Sequence, residues 1–99
     1  MAIVEFTIVP LGTKETSLSK YVADCHRVLE NVEDIKYELT PMGTIVEGDI
    51  DLILGTIRKI HEIPFEKGAL RVLTSIKIDD RRDKASSMER KVKSVKEKL

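Results

Sequence analysis

The sequence has little of what membrane proteins and disulfide-stabilised secreted proteins require. It has one cysteine, Cys25, so no disulfide can form within the chain. No apolar run approaches the roughly 20 residues of a membrane-spanning helix. The N-terminus also lacks the basic-then-apolar order of a signal peptide. These absences predict a soluble cytoplasmic protein without a membrane partner.

An excess of charge of one sign is also missing, because 17 Lys and Arg residues balance 17 Asp and Glu residues. Nucleic acids and anionic membranes attract surplus positive charge, so this balance argues against both as partners. It also removes one electrostatic barrier to self-association. A chain of this size buries only roughly 60–65% of the surface of its unfolded form, so association would stabilise it further.

Two periodicities alternate along the chain. Segments that are rich in β-branched residues, or that alternate polar and apolar residues, predict strands, whereas apolar residues three and four positions apart predict helices. Pro41 and Gly43 supply turn chemistry between two neighbouring strands, which therefore form a hairpin. The predicted elements in chain order are strand 2–10, helix 17–32, strand 35–40, strand 44–48, a helix that begins at Asp49 or Asp51 and ends between Pro64 and Gly68, strand 69–78 and helix 84–99.

Capping residues indicate where the helices begin and end. Side chains of Ser, Thr and Asp accept hydrogen bonds from the free N–H groups of a first helical turn. Pro64 and Gly68 are expected to bound the end of the second helix. The expected N-caps are Thr16 or Ser17, Asp49 or Asp51, and Ser86.

The order βαββαβ, with right-handed crossovers, predicts an α+β ferredoxin-like sandwich, in which two helices cover one face of a four-stranded antiparallel sheet. We predict this domain over residues 1–83. Residues 84–99 form an additional C-terminal helix, whose thin apolar stripe is too small to be stable alone. This helix is expected to pack on the same domain or on a neighbouring subunit. Its stripe consists of Met88, Val92, Val95 and Leu99.

Alternation along the strands assigns their residues to two faces of the sheet. Val4, Phe6 and Tyr37 are expected to face the helices. The opposite face has no helix to cover it, and we call it the open face. Its expected residues are Ile3, Glu5, Thr7, Val9, Glu38, Thr40, Arg71, Leu73, Ser75 and Lys77, with Glu47 added if the register of the third strand allows.

Two interpretations of the open face stay open at this point. One-sided antiparallel sheets commonly present a solvated face with cross-strand charge pairs. Alternatively, two such faces, or one face and a partner's helix, enclose a small polar pocket. Carboxylates and hydroxyls held on rigid strands suit a ligand that carries an amine and is partly apolar.

No catalytic or metal-binding constellation emerges from the residue spacing. His26 and His61 have no Cys, His or carboxylate partner at metal-ligand spacing, so each is interpreted as a surface or cap residue. Cys25 lies on a buried helical stripe, where a nucleophile is not expected. Arg81 and Arg82 lie among three aspartates, which favours a salt-bridged turn or a subunit contact over a phosphate site. We therefore predict a protein that is not an enzyme and has no metal or cofactor.

Six short strings, spread over nearly the whole chain, form a recognisable set. They are EFTIVPLGT at 5–13, SLSKYVA at 17–23, YELTPMGT at 37–44, EGD at 47–49, HE with the nearby Phe65 in 61–65, and RVLTSIKIDDRRD at 71–83. Together they resemble the small thiamine-binding-protein family, relatives of the YkoF-like proteins. The resemblance implies a ferredoxin-like fold and association through the sheets into dimers and tetramers.

The resemblance also implies a ligand, since some members of this family bind thiamine or its hydroxymethylpyrimidine part. Nothing in the chain resembles the magnesium and diphosphate motif of thiamine-diphosphate enzymes, so the free vitamin or a pyrimidine precursor is the expected ligand. Carboxylates suit its amino group and its cation, and hydroxyls suit its ring nitrogens. The candidate ligand-binding residues are Glu5, Thr7, Glu38, Thr40 and Glu47.

These expectations combine into one leading hypothesis and one alternative. The leading hypothesis is a homotetramer, a dimer of dimers, that binds the ligand at a subunit interface without catalysis. The alternative is a structural or regulatory interaction protein with no small ligand. A ligand-binding protein needs a gap between opposed polar groups, whereas a purely structural contact would be filled.

Overall fold

The computed structural model describes residues 1–12, 18–85 and 87–99. The element order and a four-stranded antiparallel sheet confirm the predicted α+β ferredoxin-like fold. The elements are β1 (Ala2–Leu11), α1 (Ser19–Glu30), β2 (Lys36–Thr40), β3 (Gly43–Gly48), α2 (Ile50–Glu66), β4 (Arg71–Asp80) and α3 (Met88–Lys96).

The strands are ordered β2-β3-β1-β4, so β1 and β3 are central and β2 and β4 are the edges. The ladder between β1 and β3 ends at the pair Phe6 and Thr44. The ladder between β1 and β4 continues to the pair Leu11 and Arg71. Beyond Phe6, β1 therefore has a paired neighbour on one side only within the described residues, and a notch opens beside the β2–β3 hairpin.

Helices α1 and α2 cover one face of the sheet and enclose the core with the two central strands. Val4 and Phe6 are 0% and 3% exposed, which confirms that they face the helices. The helices cover this face less well at β4, where Ile76 and Ile78 each remain 44% exposed. The buried apolar residues are Ala2, Val4, Phe6, Cys25, Leu29, Val46, Ile53, Ile57 and Ile60.

The predicted cap of α2 is confirmed, and the helix ends at Glu66, between Pro64 and Gly68 as expected. Asp49 is the N-cap, and its carboxylate accepts a backbone hydrogen bond from the first turn. The helix passes through Pro64 in its last turn, so only Gly68, with φ +99°, marks the end. Gly68 donates to the carbonyl of Phe65, and Ala69 donates to that of Pro64. This pair of bonds is a Schellman motif, which favours glycine because φ is positive.

The other helix starts differ from the predicted caps. Thr16, Ser17 and Ser86 lie outside the described residues. Leu18 occupies the N-cap position of α1 and makes no side-chain cap hydrogen bond. The cap of α3 is Ser87, whose hydroxyl accepts a backbone hydrogen bond from the first turn.

Helix α3 is attached to the sheet near its N-terminus and has no buried residue. Lys91 pairs with Asp79 of β4, whereas Val92 and Val95 are 54% and 60% exposed. The radius of gyration is 14.8 Å, above the value of about 13 Å for a compact chain of this length. The apolar stripe of α3 therefore has little cover within the described part of this chain. No helix among the described residues has the length and apolarity needed to cross a membrane.

Candidate ligand-binding site

The centre of the open face carries two carboxylates on either side of an apolar residue. The register places Glu5 of β1 opposite Ile45 of β3, and Ile45 opposite Glu38 of β2. Neighbouring strands are about 4.8 Å apart, so the Cα atoms of the two glutamates lie roughly 10 Å apart. Both glutamates are exposed, and neither side chain makes a hydrogen bond or ion pair with any described residue. Both are therefore available to a ligand or to another subunit.

The two predicted threonines lie near the open end of the hairpin. Thr7 is half-buried and packs over Gly43, since a Cβ added to this glycine would lie 3.0 Å from Thr7 Cγ2. The Thr40 hydroxyl donates to the Gly43 carbonyl at 2.9 Å and accepts from the Met42 N–H at 3.3 Å. The hydroxyl proton of Thr40 is therefore used in the hydrogen bond to Gly43, so this oxygen can act towards a ligand only as an acceptor.

Glu47 lies on the open face, because the register pairs it with Ile3 and Lys36. It is 5% exposed, and its Oε1 accepts a hydrogen bond of 3.1 Å from the N–H of Met88, the first residue of α3. A carboxylate at a helix N-terminus is favoured by the free N–H groups and by the helix dipole. Glu47 thus holds α3 against the sheet.

A single chain does not gather the five predicted residues in one pocket. Glu38 lines a groove of about 870 Å³ between β2 and α3, and Glu47 lines a separate recess of about 640 Å³. Thr7 and Thr40 line a cavity at the opposite end of the hairpin. Glu5 lies on the exposed face between these places. A site common to all five residues therefore requires a second surface over the open face.

The cavity that contains Thr7 and Thr40 was not predicted, and we call it the end cavity. It lies in the notch between residues 6–9 of β1, residues 18–26 at the start of α1, and residues 39–44 of the hairpin. Its volume is about 610 Å³, within the range of about 300–1,000 Å³ for small-molecule sites. The described residues that line it are mainly apolar, and none is Asp, Glu, Lys or Arg. Its walls therefore suit an uncharged ring.

His26 lines the end cavity, so its interpretation as a surface or cap residue is corrected. Its ring packs edge-to-face on Tyr37, with ring centroids 5.3 Å apart. Its Nε2 is buried and has no hydrogen-bond partner among the described residues. Leaving a buried polar atom unpaired costs about 1–3 kcal/mol. The available sequence signal was the position of His26 directly after Cys25, on the flank of the buried stripe.

His61 is also bonded within the fold rather than capping a helix. Its Nδ1 lies 2.7 Å from the hydroxyl of Thr74, which joins α2 to β4. Its ring meets Phe65 edgewise, with centroids 5.5 Å apart. No group of three or more His, Cys, Asp or Glu side chains that could hold a metal ion occurs among the residues that the structure describes.

Cys25 lies in the core, as its position on the helical stripe predicts. Burial raises the pKa of its thiol to about 11, aided by the nearby charge of Asp24. A thiol nucleophile acts as the thiolate, which this environment disfavours. Cys25 is therefore a packing residue.

The segment 79–83 is salt-bridged, as predicted, but it is the end of β4 at Asp80 followed by three irregular residues rather than a turn. Arg81 makes two hydrogen bonds to Asp83, at 2.6 and 3.0 Å, and Arg82 makes bonds of 2.8 and 3.1 Å to Asp80. The hydrogen bond from Arg81 lowers the pKa of Asp83 to about 2. Both arginines are paired with aspartates of the same chain.

These features define a class: a ferredoxin-like α+β domain with an open sheet face and a partly apolar cavity, and without a metal-binding cluster among its described residues. The family model for thiamine-binding proteins matches residues 4–96. The chain belongs to this thiamine-binding protein family.

Relatives and a solved structure agree with this assignment along the whole chain. UPF0045 protein YqgV of Bacillus subtilis is 49% identical over 102 residues, covering 100% of this chain and 98% of its own. A UPF0045 protein of Methanothermobacter thermautotrophicus is 43% identical over 100 residues and covers both chains completely. The crystal structure of hypothetical protein MJ1052 from Methanocaldococcus jannaschii superposes with a TM-score of 0.86 at 40% identity, covering 97% of this chain and 96% of its own.

Proposed function

We propose that this protein binds thiamine or its hydroxymethylpyrimidine part and does so without catalysis. Membership of the thiamine-binding family supports the ligand class. The observation that carries the proposal is the end cavity, whose described lining has no charged side chain, next to the exposed carboxylate of Glu5. A neutral aminopyrimidine suits such walls, whereas the permanent thiazolium cation needs a carboxylate outside them.

The distance between Glu5 and Thr7 along β1 fits a ligand whose pyrimidine ring lies in the end cavity and whose thiazolium ring lies outside it. Glu5 and Thr7 lie on the same face of the strand, with Cα atoms roughly 6.6 Å apart. A pyrimidine in the end cavity would meet the Thr7 hydroxyl and the imidazole of His26, which both line it. The linked thiazolium would then emerge on the open face beside Glu5. A carboxylate near that ring offsets its charge.

We propose that a second copy of the chain closes the site and that the assembly is a homotetramer built as a dimer of dimers. Leu73 on the open face is 57% exposed, and the stripe of α3 has little cover. Burying these apolar surfaces against another copy would stabilise the assembly. In this arrangement Glu38 contributes from the facing subunit, because one chain holds it apart from the end cavity, whereas Thr40 lines that cavity in the same chain as Thr7 and Glu47 holds α3.

Calorimetric titration of thiamine and of the isolated hydroxymethylpyrimidine tests the proposal. Replacing a carboxylate that offsets the cation should cost about 1.5–3 kcal/mol, a weakening of roughly 10- to 100-fold. Glu5→Gln should therefore weaken thiamine binding, while the uncharged pyrimidine keeps its affinity. Glu66→Gln is the matched control, since Glu66 is an exposed glutamate at the end of α2.

The titration has two outcomes that contradict the proposal. Equal thiamine affinity in Glu5→Gln, Glu38→Gln and the Glu66→Gln control would place the cation elsewhere. An absence of binding of both compounds to the unmutated protein would reject the ligand class.

The uncovered stripe of α3 favours a second candidate, a structural or regulatory interaction protein with no small ligand. Such a protein would form the same assembly and bind neither compound. Light scattering alongside the titration separates the two candidates. A particle of only 11.2 kDa at micromolar concentration would contradict the homo-oligomer in both.

A further inference from the structure

One wall of the end cavity is the edge of β1 beyond the point where its ladder with β3 stops. Thr40 and Gly43 close a two-residue hairpin loop, so they are a hydrogen-bonded pair. Hydrogen-bonding groups alternate between the two sides of a strand, so Thr44 turns its N–H and C=O to β1, where its partner is Phe6. Ile8 turns its backbone groups to the same side as Phe6, because it is two residues further along β1. The N–H and C=O of Ile8 therefore point into the notch.

No described residue pairs with these two groups. The β1–β3 ladder ends at Phe6, and neither backbone group of Ile8 makes a hydrogen bond with the hairpin turn or with a side chain among the described residues. Pro10 supports this orientation, because it lies on the same side as Ile8 and its missing N–H removes no bond from the ladder with β4. A donor and an acceptor of one residue are thus left side by side in the wall of the end cavity, which Ile8 lines.

The chemistry of this wall fits the edge of one ring better than an added peptide strand. Backbone N–H and C=O groups that are removed from water need a partner, so the wall favours an occupant that supplies one acceptor and one donor. A peptide strand needs a continuous row of such groups, and Pro10 interrupts the row directly after Ile8. The cavity of about 610 Å³ has room for a single ring.

We propose that the backbone of Ile8 selects the pyrimidine by its amidine edge, which is a ring nitrogen next to the carbon that carries an amino group. The ring nitrogen accepts a hydrogen bond from the Ile8 N–H, and the amino group donates one to the Ile8 C=O. In the hydroxymethylpyrimidine these groups are ring nitrogen 3 and the 4-amino group. This recognition rests on the function proposed above and specifies which pyrimidines the end cavity accepts.

An oxo group in place of the amino group reverses the pattern. The 4-oxo analogue carries an N–H at ring position 3 and a carbonyl at position 4, so a donor faces the Ile8 N–H and an acceptor faces the Ile8 C=O. Both hydrogen bonds are lost, and the four polar groups are left without partners. A site built to hydrogen-bond a substrate group discriminates strongly against an analogue that lacks this group. We expect the 4-oxo compound to bind at least about 100-fold more weakly than the 4-amino compound.

Calorimetric titration of the unmutated full chain with the hydroxymethylpyrimidine and with its 4-oxo analogue measures this preference. His26→Phe is the control for the imidazole, since it keeps a flat ring beside Tyr37 and lacks Nε2. The preference for the 4-amino compound should persist in this variant. Its loss in His26→Phe would assign the discrimination to the imidazole and overturn the role of the Ile8 backbone.

Ile8→Pro removes the N–H itself. The substitution should leave the ladder with β4 intact, because the N–H points into the notch and Pro10 already occupies an equivalent position. Ile8→Ala is the matched control, since it removes the same side chain and retains the N–H. We expect Ile8→Pro to bind the hydroxymethylpyrimidine at least about tenfold more weakly than Ile8→Ala. If Ile8→Pro does not fold, the two compounds still decide the question on the unmutated protein.

Amide hydrogen exchange tests the orientation of the backbone directly. In the free protein, the Ile8 amide should exchange at least about tenfold faster than the amides of Thr7 and Val9, which face β4. A saturating concentration of the hydroxymethylpyrimidine should slow exchange at Ile8. Protection of Ile8 equal to that of both neighbours in the free protein would overturn the orientation.

The outcomes distinguish this recognition from the proposed function. Equal affinity for the 4-amino and 4-oxo compounds would overturn the role of Ile8 and leave pyrimidine binding standing. The same conclusion would follow from a folded Ile8→Pro variant that binds as tightly as Ile8→Ala. Binding of neither pyrimidine nor thiamine to the unmutated protein would reject the proposed function and this recognition together.

Discussion

The two faces of the sheet differ in how closely their side chains are packed. On the face covered by α1 and α2, Val4, Phe6 and Val46 are at most 3% exposed. On the open face, the carboxylates of Glu5 and Glu38 are exposed and have no hydrogen-bond or ion-pair partner among the described residues, although the two glutamates lie on the same strands or on a neighbouring one. The helix-covered face is constrained by close packing. The open face holds two carboxylates, Glu5 and Glu38, for which the described part of the chain supplies no side-chain partner.

Among substitutions on the two faces, the largest loss of folding stability is expected on the helix-covered face. Phe6→Ala should destabilise the fold by about 3–5 kcal/mol, because it leaves a cavity between the sheet and the helices. Denaturant unfolding measures this change. Phe65→Ala is the control, since Phe65 is 37% exposed and should lose only about 1 kcal/mol. Equal losses in the two variants would contradict the assignment of the core.

Burial beneath the helix-covered face should also lower the reactivity of the Cys25 thiol towards alkylating reagents. With a pKa of about 11 against an ordinary 9.0, native Cys25 has roughly 100-fold less thiolate at pH 8. Iodoacetamide should therefore label the native protein about 100-fold more slowly than the unfolded protein. Rapid labelling of the native protein would show that Cys25 is not buried in solution.

This pKa also predicts how stability changes with pH. Because the folded-state pKa is raised, the contribution of Cys25 is complete below about pH 9 and is lost as the pH rises towards 11. Urea midpoints between pH 8 and 11 should fall, and Cys25→Ala should reduce that fall. An identical pH dependence in the two proteins would contradict the prediction.

Glu47 lies on the open face but is buried like a core residue. Replacing it should therefore cause a loss of stability between that of a core residue and that of an exposed open-face residue. Glu47→Ala removes the acceptor for the Met88 N–H and should cost about 1–2 kcal/mol. A nine-residue helix is marginal alone, so α3 should lose its hydrogen-exchange protection while β1 keeps its own. Glu47→Gln retains a carbonyl acceptor and serves as the control. Unchanged protection of α3 in the alanine variant would show that another contact holds it.

The smallest effects should come from the exposed centre of the open face. Glu38→Gln and Thr7→Val should each change the stability of the fold by less than about 0.5 kcal/mol, because neither side chain makes a hydrogen bond with any described residue. Thermal unfolding followed by circular dichroism measures this. Unfolding of either variant, together with tolerance of Phe6→Ala, would mean that the two faces are inverted.

The sequence by itself determined the element order and most of the face assignments. Alternation on β1 separates Phe6 from Glu5, and helical spacing places Cys25 in the core. These signals are local, because the periods of a strand and a helix are properties of neighbouring residues along the chain. The strands and helices, and the face on which each of these residues lies, could therefore be predicted before any contact was known.

Only the tertiary structure decided which of these residues meet. Glu47 is committed to α3 through a hydrogen bond to Met88, 41 residues away, which no local pattern encodes. The end cavity exists because the β1–β3 ladder stops at Phe6 while β1 continues beside β4. His26 then lines the resulting notch because α1 packs across it. Ladder lengths and helix positions depend on contacts between distant segments, so the candidate site became visible only in the folded chain.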